Sequence, residues 1–81
     1  MLDAPRERIG AWIRRRREER GWSQEALGDR VSLSQPMIAK LERGGSAVDF
    51  ERWLKLCEVF GVREERALAE IRAIEGAAGA A

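Results

Sequence analysis

The sequence predicts an all-α fold of five helices, and two features of its composition already favour helices over sheets. Ala, Leu, Glu, Arg and Lys account for 45 of the 81 residues, a share typical of helical proteins. Thr and Tyr are absent, and only nine residues are Val or Ile, which leaves little from which to build a β-sheet. The length fits a single domain.

Glycines and capping residues predict where the helices end and begin. Each of four glycines follows a segment with helical spacing of apolar residues, where a left-handed residue is favoured. They are Gly21, Gly44, Gly61 and Gly76. Ser23, Ser34 and Asp49 each follow an apolar residue and precede such a segment, as N-caps do. The predicted helices are 4–20, 24–31, 35–43, 50–60 and 64–75, followed by a flexible tail at 77–81.

The fourth predicted helix has a clear apolar face. Its members recur at positions i, i+3, i+4, i+7 and i+10, which is the spacing of a buried helical stripe. We expect this helix to bury Phe50, Trp53, Leu54, Cys57 and Phe60.

Several classes of function are excluded by the missing side chains. The sequence has no His and a single Cys, so Ser–His and Cys–His nucleophilic pairs and multi-thiolate zinc sites cannot be formed. We therefore expect no catalytic residues, no metal site, no cofactor and no enzymatic activity. No apolar run approaches the roughly 20 residues of a membrane span, and no signal peptide is visible. The predicted location is the cytoplasm.

The charge distribution favours an anionic partner for the N-terminal half. The net charge is +1 overall. Residues 1–45 carry ten basic and seven acidic side chains, whereas residues 46–81 carry five basic and seven acidic ones. The basic excess therefore lies in the N-terminal half.

The second and third predicted helices are separated by only three residues, 32–34. So short a linker forces two helices to cross at a steep angle. We expect the apolar side chains of this unit to point inward together. They are Leu27, Val31, Leu33, Ile38 and Leu41.

These residues resemble the Cro/C1-type, or XRE-like, helix-turn-helix family of phage repressors and small bacterial regulators. The stretch 23–28, Ser-Gln-Glu-Ala-Leu-Gly, is similar to the family's second helix. The stretch 34–44 is similar to its recognition helix and the glycine that follows. The resemblance covers about residues 9–62. It implies a lambda-repressor-like DNA-binding domain over 1–76, with the helix-turn-helix at the second and third helices.

Three residues depart from the family pattern. Ser32 stands where a glycine is usual, which costs on the order of 1 kcal/mol if the backbone is left-handed there. Gly28 replaces the usual alanine. Arg16 replaces an apolar residue, and we expect its stem to pack near Trp12 while its charged head reaches solvent.

The resemblance implies that the third helix lies in the major groove of DNA. Its N-terminal residues then reach base edges. The amide of Gln35 can donate and accept at once, which matches adenine, and Gln24 corresponds to a phosphate-contacting glutamine. The candidate DNA-binding residues are Gln24, Ser34, Gln35, Pro36, Met37, Ala39, Lys40, Arg43 and Arg17.

Several of these positions have a second interpretation. Gln24 and Gln35 are either DNA contacts or solvated residues of a first helical turn. Met37 either meets a thymine methyl group or packs on the first helix. Lys40 and Arg43 either bind DNA or are solvated. Arg17 corresponds to the family's arginine that pairs with the glutamate found here at Glu42, so we expect a structural ion pair between them.

One recognition helix reads few bases, and family members usually bind palindromic sites as homodimers. A dimer surface is expected from Leu56, Val59, Leu68, Ile71 and Ile74, unless these residues only close the monomer core.

The function predicted from the resemblance is a sequence-specific regulator of transcription that binds double-stranded DNA. The phage repressor, restriction-modification controller and antitoxin types all fit, the last with a toxin or other protein partner. The alternative is a protein-interaction module on the same fold that does not bind DNA.

Overall fold

A computed structural model describes residues 3–74, which form five α-helices and no β-strand in that range. The helices are α1 (Asp3–Glu19), α2 (Gln24–Val31), α3 (Gln35–Glu42), α4 (Phe50–Phe60) and α5 (Glu64–Ala73). The predicted all-α fold is confirmed, and α2 and α4 have the predicted boundaries. The predicted tail 77–81, Gly76 and the last predicted residue of the fifth helix lie outside the described residues.

Three helices begin at the predicted capping residues. Side-chain oxygens of Ser23, Ser34 and Asp49 each accept a hydrogen bond from the backbone N–H three residues later, at 3.0, 3.3 and 2.8 Å. Each such cap contributes about 1 kcal/mol because it satisfies a donor that the first helical turn leaves free. The starts of α2, α3 and α4 are therefore specified by local sequence.

The turn between α2 and α3 has the strain that the sequence predicts. Ser32 is left-handed, with φ 61° and ψ 43°, a conformation that favours glycine. Gly28 allows this turn to fold back closely, because a Cβ atom at that position would lie 2.3 Å from the carbonyl oxygen of Leu33. A hydrogen bond of 2.9 Å from Leu33 N–H to the carbonyl of Gly28 closes the turn.

The core joins all five helices around α1. Its most buried large side chains are Trp12 and Ile13 of α1, and residues of α2, α3 and α4 surround them. The buried members outside α1 are Leu27, Val31, Ile38, Leu41, Leu56, Cys57, Phe60, Ala67, Ile71 and Ile74. Leu33, expected to point inward, is only partly buried but packs against this core.

The buried face of α4 differs from the predicted one. Phe50 is 70% exposed, whereas Leu56, expected off the inward face, is 0% exposed. The reason is that α4 lies against α1, α2 and α5 together, so that its buried stripe is rotated toward Leu56, Cys57 and Phe60. Burial raises the pKa of the Cys57 thiol to about 11, which keeps it protonated at neutral pH.

An ion pair between α1 and α5 was not predicted. Arg16 donates hydrogen bonds from Nε and Nη2 to the carboxylate of Glu70, and Trp12 Nε1 donates to the same carboxylate at 2.9 Å. The head of Arg16 is therefore bound to Glu70 and does not simply reach solvent. The hydrogen bond from Arg16 is the main cause that lowers the pKa of Glu70 from 4.5 to about 2.

Glu70 is expected to make the stability of the chain sensitive to acid. Its pKa is lower in the folded chain than in the unfolded one, so its contribution is complete above about pH 4.5 and is lost as the pH falls toward 2. We expect Glu70→Gln to remove about 2 kcal/mol at pH 7, after allowing for solvent screening, and little at pH 2.5. Urea unfolding at both pH values measures this difference. The exposed Glu58→Gln is the control, and equal losses at the two pH values would contradict the prediction.

Candidate nucleic-acid interface

The recognition helix predicted from the sequence, α3, packs on α1 and α2 and leaves its outer face free. Ile38 and Leu41 point into the core. Gln35, Pro36, Lys40 and Arg43 are exposed. The helix spans about 12 Å, since each of its eight residues adds about 1.5 Å, which suits the width of a DNA major groove.

A close approach of α1 and α3, which the sequence analysis did not identify, sets the position of this helix. A Cβ atom on Gly10 would lie 2.4 Å from the carbonyl oxygen of Leu41 and 2.6 Å from that of Glu42. Glycine at this position therefore lets the end of α3 rest directly on the backbone of α1. The only signal in the sequence is a glycine inside a helical pattern, where glycine is otherwise unfavourable.

Arg17 and Glu42 form an ion pair beneath α3. Arg17 Nε donates to Glu42 Oε2 at 2.6 Å and Nη2 donates to Oε1 at 3.1 Å. A third hydrogen bond, from Nη1, reaches the carbonyl of Trp22 at 2.8 Å. The side chains are only 12% and 4% exposed, so the pair acts in a largely desolvated setting. The bond to Glu42 also raises the pKa of Arg17, which stays charged.

A chain of hydrogen bonds extends from this pair to the exposed face. Gln24 Nε2 donates to Glu42 Oε1 at 3.0 Å, and Gln35 Nε2 donates to Gln24 Oε1 at 2.7 Å. The two glutamines predicted to contact DNA are thus joined to each other and anchored on the ion pair. This arrangement holds the amide of Gln35 in a defined orientation at the start of α3. The sequence identifies each of these residues, but it does not reveal the hydrogen bonds between them.

The remaining candidate residues differ in exposure. Met37 is partly buried and packs against the core, which favours the second interpretation of this residue for much of its side chain. Ala39 is also partly buried, and Ser34 uses its hydroxyl to cap α3. Lys40 lies beside the loop after α3. Its Cγ atom is 3.1 Å from the place that a Cβ atom on Gly45 would occupy.

The charges on this face are favourable to an anion. The only carboxylate of α3 is that of Glu42, which is buried and paired. Lys40 and Arg43 are exposed and form no ion pair with another described side chain. An acidic face, which would favour a protein-interaction module, is therefore not present on α3.

A cluster of arginines and aromatic rings supports the start of α2. The guanidinium of Arg30 lies 4.1 Å from the ring centroid of Trp22, and that of Arg20 lies 5.3 Å from the ring of Phe60. Trp22 stacks on Phe60 with 6.2 Å between centroids. These contacts hold the residue that precedes the cap of α2. The sequence does not reveal this cluster, since the contacts of Arg20 and Trp22 with Phe60 join distant segments.

Most of the dimer surface expected from the sequence is buried in the monomer. Leu56, Ile71 and Ile74 are buried in the core of the monomer, so they close the core, as the alternative interpretation held. Val59 is partly buried against the same core. Of the five expected residues, only Leu68 is exposed, at 43%.

Within residues 3–74, no helix is long and apolar enough to cross a membrane. The same part of the chain contains no cluster of three or more His, Cys, Asp or Glu that could hold a metal ion.

Comparison with known proteins agrees with this geometry. A family model described as helix-turn-helix matches residues 13–66. Two crystal structures of the clp gene regulator ClgR from Corynebacterium glutamicum are similar to the chain, each with 28% sequence identity over 84% of it. Their TM-scores are 0.78 and 0.77, and the matches cover 72% and 88% of those chains. No curated protein is significantly similar in sequence.

Proposed function

The chain belongs to the Cro/C1-type helix-turn-helix family and is a DNA-binding transcriptional regulator, and we propose that it binds a palindromic operator as a homodimer. In this proposal α3 lies in the major groove and reads bases from its N-terminal end. The single domain extends over 1–76.

The observation that carries the proposal is the chemistry of the exposed face of α3. It presents the amide of Gln35 and the positive charges of Lys40 and Arg43, while the one carboxylate of the helix is paired underneath. Positive groups supply affinity for phosphates, and a fixed amide supplies discrimination between bases. A protein-interaction module would need neither.

The two glutamines have different proposed roles. Gln35 reads a base, with adenine as the matching partner. Gln24 orients Gln35 by accepting its hydrogen bond at 2.7 Å and contacts a phosphate from the start of α2. Residues around Gln35 complete the contact surface. They are Ser34, Pro36, Met37, Ala39, Lys40 and Arg43.

Arg17 contributes mainly through Glu42 in this proposal. Its guanidinium already donates three hydrogen bonds within the protein and is 12% exposed. A phosphate can approach only the part that remains accessible. Its main effect is to hold α3 and Gln24 in place.

The proposal of a homodimer follows from the small size of one α3. Half-sites of a palindromic operator lie about 34 Å apart, one turn of DNA. The chain measures 34 × 25 × 24 Å, so two copies side by side have the scale needed for two α3 helices to reach successive major grooves.

The proposal places the chain in the cytoplasm of a bacterial or phage-infected cell, at the DNA it regulates. A phage repressor, a restriction-modification controller and an antitoxin with a toxin partner are the regulators of this kind that fit. The operator itself will identify the genes that are controlled.

The first test is selection from a pool of random DNA duplexes with the full chain at a fixed salt concentration. We expect enrichment of a palindrome. Enrichment of a single half-site would contradict the dimer, whereas retention without enrichment would contradict sequence-specific reading. Absence of retention would overturn DNA binding and favour a protein-interaction module.

Replacing Gln35 with alanine is expected to weaken binding to the selected operator by about 1–3 kcal/mol. Binding to unrelated DNA should not change, since phosphate contacts carry non-specific affinity. Fluorescence anisotropy with both duplexes measures the two affinities. An equal loss on both would contradict base reading by Gln35.

Lys40→Ala serves as the matched control on the same helix. Removing one phosphate contact should weaken binding to both duplexes and reduce the slope of log affinity against log salt by about one unit. An unchanged slope of log affinity against log salt would indicate that Lys40 is solvated and contacts no phosphate.

A further inference from the structure

An open apolar groove lies between the start of α1, the start of α4 and the outer side of α5. Its volume is about 520 Å³. Phe50 and Leu68 are its most exposed apolar members, at 70% and 43%, and they are the two exposed large hydrophobic residues among those described. Partly buried Ile9, Val48 and Trp53 line the groove further in. A patch of this kind on a small protein usually marks an interface.

The charges on α5 are arranged so that two copies of this helix match. The first turn contains Glu64 and Glu65, and the last turn contains Arg72. Leu68 lies halfway between them. If a second α5 packs antiparallel about a two-fold axis at Leu68, the acidic turn of each copy meets Arg72 of the other, since each end lies about 6 Å from the axis.

This pattern of charge also suits a single helix, because acidic first turns and basic last turns complement the helix dipole. The charges alone would therefore not identify a partner. What identifies one is the exposed Leu68 between them and the exposed Phe50 beside them, which share one groove with the cations Arg72 and Arg8. A surface that is apolar in the middle and carries opposite charges at its two ends is complementary to itself.

The position of the groove is also compatible with DNA binding. α5 packs on α1 and α4, whereas α3 packs on α1 and α2. A second copy on the outer side of α5 leaves the exposed face of α3 free.

From these observations we infer that the Phe50–Leu68 groove binds a second copy of this chain, with the two α5 helices antiparallel and each acidic first turn facing Arg72 of the other. This inference rests on the proposed homodimer and assigns its interface. Of the surface expected from the sequence, the interface retains Leu68 and Ile71, which line the groove, and leaves out Leu56 and Ile74.

A charge-exchange experiment tests this arrangement in solution. The variant Arg72→Glu makes the last turn of α5 acidic and leaves Arg8 as the remaining cation of the groove. The variant Glu64→Arg/Glu65→Arg makes the first turn of α5 basic. Sedimentation equilibrium should show that each variant alone dimerises at least tenfold more weakly than the wild type. A mixture of the two should recover dimers that contain one copy of each. Circular dichroism checks that both variants are folded.

Two further variants isolate the apolar contact and control for net charge. Phe50→Ala should also weaken dimerisation at least tenfold, and since Phe50 is largely exposed, the monomer should stay folded. The matched control is Lys55→Glu/Glu58→Arg, which reverses an exposed ion pair on α4. It should dimerise as the wild type does.

The outcomes separate this interface from the proposed function. The proposed interface would be overturned if both charge variants dimerised as strongly as the wild type. It would also be overturned if a mixture of the two variants formed no mixed dimers. A wild-type chain that stays monomeric at millimolar concentration would overturn it also, and DNA selection would then show independently whether the chain reads sequence. If the variants lose binding to the palindrome but bind one half-site as the wild type does, the interface is supported.

Discussion

Replacing Glu42 with alanine is expected to destabilise the chain by about 3–5 kcal/mol and to abolish specific DNA binding. The substitution leaves Arg17, whose side chain is only 12% exposed, with no carboxylate closer than that of the exposed Glu18 at 3.9 Å. Removing the close partner of a buried ion pair has an effect of this size. A chain of this length has a total stability of about 4–12 kcal/mol. Urea unfolding at low temperature is therefore the appropriate measurement.

Two controls define the cause of that loss. Glu58→Ala breaks an ion pair with Lys55 in which the Lys55 and Glu58 side chains are 49% and 74% exposed, and it should change stability by at most about 0.5 kcal/mol. The double variant Arg17→Met/Glu42→Leu removes both charges and should recover most of the stability, because a buried pair can be replaced by apolar residues. A loss for Glu42→Ala no larger than that for Glu58→Ala would show that the pair is not desolvated.

The double variant also separates stability from recognition. Gln24 loses its hydrogen-bond acceptor on Glu42, which lies 3.0 Å away in the wild type. Without this anchor the amide of Gln24 is free to rotate, and Gln35, which donates to it, is no longer held. We therefore expect a folded protein whose affinity for the operator falls much more than its affinity for unrelated DNA. If the double variant bound the operator as tightly as the wild type does, Gln24 would not position Gln35.

Local signals account for the parts of the fold that the sequence predicted well. Ser23, Ser34 and Asp49 cap the helices that follow them because capping depends on residues three positions apart. The αL conformation of Ser32 follows in the same way from the short linker between α2 and α3. The resemblance to the helix-turn-helix family added the pairing of Arg17 with Glu42, which spacing alone does not give.

Contacts between distant segments account for the errors. Helical periodicity predicts that Phe50 is buried and leaves Leu56 out of the buried stripe, but periodicity does not tell which neighbours surround a helix. Because α4 meets three helices, its buried face is broader and rotated. Glu70, which binds Arg16 across 54 residues of sequence, could not be found from the sequence of either helix alone. The hydrogen bond between Gln24 and Gln35 likewise joins two helices, and the sequence of neither helix alone reveals it.

Replacing Gly10 with alanine is expected to destabilise the chain by about 3 kcal/mol, although the same change in an open helix stabilises it by about 1 kcal/mol. The new Cβ atom would lie 2.4 and 2.6 Å from the carbonyl oxygens of Leu41 and Glu42. Neither is the end of a flexible side chain, so α3 must move away from α1. Thermal and urea unfolding measure the loss.

Gly45→Ala is the matched control for that substitution. There a Cβ atom would meet Cγ of Lys40 at 3.1 Å, and this exposed side chain can move aside, so we expect a change below about 1 kcal/mol. The atoms that Gly10→Ala displaces are backbone atoms at the end of α3, including those of Glu42. A shift there also moves the carboxylate that anchors Gln24, and specific binding should fall more than stability alone explains. If Gly10→Ala were as stable as Gly45→Ala and still bound the operator, α1 would not set the position of α3.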